Sequence, residues 1–112
     1  MSLEEHSGAE IDAEIARLGT KIATERAALA AKEAQAQGMR AKLEQVKADV
    51  ASGVAVIPPG KERAYELALR AEEELVVAVE NSLQGIRDAI SGLEQARDTL
   101  IVAKAVDAEA KK

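Results

Sequence analysis

The large apolar residues of this chain recur at spacings of three and four over two long stretches, with a short interruption between them. In the first stretch Ile15, Ile22, Leu29, Ala36, Leu43 and Val50 fall on one seven-residue repeat, and Ile11, Leu18, Met39 and Val46 fall on a second. In the second stretch Leu69, Val76, Leu83 and Ile90 alternate with Tyr65, Val79, Ile86, Leu93 and Leu100. Written as heptads, the first set of each stretch occupies position a and the second position d. A repeat sustained over about five heptads belongs to helices that meet along a narrow seam, and short amphipathic helices do not produce it. Strict alternation at period two is confined to Val54-Ala55-Val56, so strands are not expected.

The interruption carries the helix breakers. Gly53, after Ser52, is free to take the left-handed conformation that ends a helix. Both prolines, Pro58 and Pro59, sit together just beyond it, where fixed φ and a missing N–H exclude helix interior and suit a helix start. The pattern predicts an N-terminal tail over 1–8, a helix over 9–51, a connector over 52–60 and a second helix over 60–108. Residues 9–108 are read as a single domain. So short a connector brings the second helix back antiparallel. The expected fold class is therefore all-α: two long helices forming an antiparallel coiled-coil hairpin. With a facing d, Val46 meets Leu69, Leu29 meets Ile86 and Ile15 meets Leu100; a slip of one heptad satisfies the same pattern.

Positions outside the seam refine this picture. On the second helix one stripe reads Ala64, Ala71, Ala78, Gly85 and Gly92. Glycine costs about 1 kcal/mol against alanine inside a helix, so two glycines one heptad apart suggest a close contact on that face. The expectation is that two hairpins dimerise there into a four-helix bundle, which would also relieve the weakness of a seam only one side chain wide. The alternative is that alanine serves as a good helix former on a wet surface. Four polar residues, Glu25, Lys32, Glu72 and Arg97, interrupt the seam. Buried, they would set register or oligomer state; otherwise their stems pack and their charged heads reach water. The apolar Val54, Val56 and Ile57 in the connector either fold back over the open end of the seam, near Val50 and Tyr65, or offer an adhesive turn to a partner.

Composition narrows function without naming it. Aromatics are 1% of the chain, Tyr65 alone, which disfavours a compact globular core. A net charge of −5 argues against nucleic acid and against anionic membrane surfaces. No apolar run approaches the roughly 20 residues of a membrane span, and the N-terminus lacks the regions of a signal peptide, so a cytoplasmic location is expected. The chain has no cysteine and one histidine, His6. Neither a nucleophile with a base nor a set of metal ligands can be assembled, and no catalytic residue, metal site or cofactor is expected. Glu72-Glu73-Glu74 is read as a solvated helical face, and Gly53 and Gly60 lack the context of a phosphate loop.

In shape and composition the expected hairpin resembles small hairpin proteins of bacterial export machines, phage particles and chaperone arms. It lacks the Trp-x-Gly turn of small secreted helical hairpins and the strand linkers of prefoldin-type chaperones. The leading expectation is a non-enzymatic structural or adaptor protein that binds itself and a second protein. The alternatives are a holdase-type chaperone for client helices, or the coiled-coil stalk of a longer protein.

Overall fold

A computed structural model describes residues 3–110, with side chains from Gly8 onward. It contains two α-helices: α1, Leu3–Ala51, and α2, Glu62–Ala110. There is no strand among the described residues, and the chain is an all-α helical hairpin.

Helix α1 starts earlier than its heptads do. Residues 3–8, expected as part of a tail, are already helical. Nothing in that stretch forbids it, since there is no proline. Ser7 and Gly8 weaken a helix by about 1 kcal/mol each at most. Met1 and Ser2 lie outside the described residues, as does the side chain of His6.

The connector ends one helix and starts the next by different means. Gly53 has a φ of 82°, so it takes the left-handed conformation expected of it. Around it the last carbonyls of α1 are satisfied: Ser52 N donates to Ala48 O at 2.9 Å, Gly53 N to Val50 O at 3.2 Å and Ala55 N to Asp49 O at 3.0 Å. The two prolines do not begin α2. They build a tight turn in which Lys61 N donates to Pro58 O at 3.0 Å, with Gly60 at φ 84°. Pro at the second position and a positive-φ glycine at the third are the requirements of a type II turn. Lys61 then caps α2, its carbonyl accepting from Tyr65 N at 3.0 Å, so the helix starts at Glu62 and not at 60.

The contacts of the chain fall into two compact units. The reason is that side chains in a two-helix seam touch only neighbouring layers, so few contacts join distant stretches. One unit is Ala30–Gly85. Its buried side chains are Ala36, Leu43, Val76 and Leu83, all at position a. Arg40 reaches from α1 to Glu80 at 2.7 Å and to Glu73 at 2.9 Å, and Lys47 reaches Glu73 at 3.4 Å. The other unit is Met1–Leu29 with Ile86–Lys112. Its buried side chains are Leu18, Ile22 and Ile90. Arg26 pairs with Glu94 at 2.8 Å and Asp12 with Lys104 at 2.5 Å. In each unit the partner's number falls as the first number rises, so the helices are antiparallel in both. Arg26–Glu94, Arg40–Glu80 and Lys47–Glu73 join e positions, the pairs required when Val46 faces Leu69 and Leu29 faces Ile86.

Candidate functional site

The two edges of the seam differ in chemistry, and this difference defines the exposed surface. At the e positions of the Ala30–Gly85 unit, α1 supplies Arg40 and Lys47 and α2 supplies Glu73 and Glu80; in the other unit, Arg26 and Glu94 occupy e. Their long stems lie beside the neighbouring a positions, which hold every buried side chain except Leu18. Arg40 forms a fork on Glu80, with Nη2 donating to Oε1 at 2.7 Å and Nε to Oε2 at 3.3 Å, while Nη1 donates to Glu73. The hydrogen bonds to Glu80 and then Glu73 raise the Arg40 pKa above its ordinary value. The bond from Arg40 holds Glu73 below the ordinary carboxylate value; partial desolvation opposes this, and the Lys47 bond adds to it.

The g edge is built differently: α1 supplies Glu14, Lys21, Gln35, Lys42 and Asp49 there, and α2 mostly short side chains. On α2 it reads Ala68, Leu75, Ser82, Ala89, Ala96 and Ala103, side chains too short, Leu75 apart, to shield the adjoining d positions. Val46, a seam residue at d, is 46% exposed while Val76 at a is 1% exposed, and Leu18, also at d, is 5% exposed. Leu75 on this edge and Leu67 on the outer face beyond it are 54% and 49% exposed. Sequence reasoning noted the small residues on this face and overlooked these leucines. Their signal was present, since leucine at f or g has no place in a two-helix seam.

The candidate interface residues Ala64, Ala71, Ala78, Gly85 and Gly92 are all exposed. A Cβ added at Gly85 or Gly92 meets nothing within 4 Å, so no contact within the described chain requires a glycine there. The three apolar connector residues differ in exposure. Ile57 is partly covered, and it lines a shallow groove of about 330 Å³ with Val46, Val50 and Tyr65. Val54 and Val56 point outward, 79% and 80% exposed.

None of the four polar seam residues is buried. Glu25 and Lys32 are half-buried, and Glu72 is exposed. Arg97 turns to Asp98 beside it on α2, at 3.3 Å. Among the described residues no group of three or more His, Asp or Glu is placed to hold a metal ion. No helix among them is long and apolar enough to cross a membrane.

No protein-family model, curated protein or solved structure matches this chain.

Proposed function

We propose that this chain is a non-enzymatic structural or adaptor protein, cytoplasmic, whose helical hairpin self-associates and docks on a second protein. The carrying observation is the one-sided cover of the seam: ion pairs line its e edge, while its g edge opens onto exposed leucine, alanine and glycine on α2. Apolar surface that continues from a seam onto an outer helix face is a common mark of protein–protein contact. The net charge of −5 favours a protein partner over nucleic acid or an anionic membrane. Catalysis, a cofactor and a metal have no part in this reading.

Molar mass by light scattering across a dilution series tests the proposal. A dimer or larger species that dissociates on dilution is expected. Leu67→Glu with Leu75→Glu should lower that mass while far-ultraviolet circular dichroism stays helical. A well-folded monomer at every concentration would refute self-association. The apolar groove beside Tyr65 favours one second reading, a holdase for client helices. It predicts strong fluorescence of an apolar dye with the free protein, lost on adding an amphipathic helical peptide.

A further inference from the structure

The outer face of α2 within the Ala30–Gly85 unit has a symmetry that the seam does not share. Leu67 and Leu75 stand four residues either side of Ala71, and Ala64 and Ala78 stand seven either side. At 3.6 residues per turn these five side chains fall within an arc of about 80°. All five are exposed. The pattern reads the same from either end, with its centre at Ala71.

Charge on one edge of this face breaks the tie between possible arrangements. Arg70 and Glu74 lie one turn apart along that edge, and neither makes an ion pair among the described residues. If a second copy lay parallel about a two-fold axis, the charged edge of each would face the other's opposite edge. There Glu72 would meet Arg70 but would also meet Glu74, a like charge, with no net gain. If it lay antiparallel about a two-fold axis at Ala71, the two charged edges would run side by side. Their order would be Glu74, Arg70, Arg70, Glu74, taken from alternate copies, so that two unlike Arg70–Glu74 contacts outweigh the single Arg70–Arg70 contact at the axis. The same operation sets Leu67 against Leu75, Ala64 against Ala78 and Ala71 against itself. Alanine at the crossing point lets the helix axes approach closely, and the flanking leucines bury each other. A symmetric dimer interface must be self-complementary in this sense, whereas a surface for an unrelated protein need not be.

We infer that the α2 face from Ala64 to Ala78 is the docking surface for a second copy of this chain, packed antiparallel about Ala71. This rests on the self-association proposed above and specifies the surface and orientation that carry it.

The test uses the full chain, with folding of each variant checked by circular dichroism. Arg70→Glu and Glu74→Arg should each weaken the dimer by about ten-fold or more, because either change leaves four like charges in a row along the shared edge. An equimolar mixture of the two variants should dimerise at least as well as the native chain. In the mixed dimer the carboxylates at 70 and 74 of one copy alternate with the guanidinium groups at 70 and 74 of the other. The chain has no cysteine, so Ala71→Cys should form a covalent dimer on oxidation while Ala48→Cys on α1 should not. If the native chain stays monomeric throughout, self-association and this inference both fall. If it dimerises but neither charge reversal changes its mass and Ala71→Cys does not cross-link, self-association stands and this surface is refuted.

Discussion

Replacing Val76 and Val46 by alanine, one at a time, removes the same two methyl groups from two seam positions of one unit. Each buried carbon is worth about 0.8 kcal/mol, so full burial of both contributes about 1.6 kcal/mol. Val76 is 1% exposed, and its loss adds a cavity term that brings the cost to about 2–2.5 kcal/mol. Alanine's better helix propensity returns about 0.5 kcal/mol at either site. The net cost is then about 1.5–2 kcal/mol for Val76→Ala. Val46 is 46% exposed, so its transfer contribution is about half as large and no closed cavity forms, leaving a net cost of about 0.3 kcal/mol. In thermal melts followed by far-ultraviolet circular dichroism, Val76→Ala should lower Tm by roughly 6–16 °C and Val46→Ala by at most about 3 °C. Equal losses, within about 0.5 kcal/mol, would refute the argument that the ion-paired edge covers position a and leaves d open. Equal losses at high concentration that separate on dilution would instead show that association covers Val46.

Glu73 gives a prediction for pH. Its folded pKa lies below the ordinary value of 4.5 because Arg40 and Lys47 donate to it. Its contribution is therefore complete above the unfolded value and disappears as pH falls through the folded one. Glu73→Gln should reduce stability at neutral pH and flatten the acid-side decline below about pH 4.5; a decline as steep as the native one would show that other carboxylates cause it. The glycines should divide by conformation. Gly60→Ala, at φ 84°, should lower unfolding free energy in urea by about 1–2 kcal/mol. Gly92→Ala, helical with open space around it, should raise it by about 1 kcal/mol. A destabilised Gly92→Ala would mean that another molecule packs on that face.

Much of the fold could be read from spacing. The heptads located both helices because a seam between two helices demands large apolar residues at a and d and tolerates little else. Gly53 was legible as a stop because only a residue without Cβ takes positive φ cheaply. The opposite signs of Arg26, Arg40 and Lys47 against Glu73, Glu80 and Glu94 also contained the register, although the apolar pattern alone allowed a one-heptad slip. Pro58 and Pro59 were harder to place, since the same residues suit a first helical turn and a type II turn. The hydrogen bond from Lys61 to Pro58 distinguishes the two.

The sequence by itself determined the helices, their antiparallel return and the absence of a large core, because period and turn chemistry act over a few residues and need no distant partner. Tertiary structure decided which half of the seam is dry. Positions a and d are equivalent in a heptad, and it is beside a that arginine and lysine reach across to glutamate. The same geometry left Glu25, Lys32 and Arg97 short of full burial, since a seam one side chain wide keeps water within reach of a long stem. It also turned Ile57 inward while Val54 and Val56 face out, a choice that depends on the path of the chain between Gly53 and Gly60 and on no property of the three side chains.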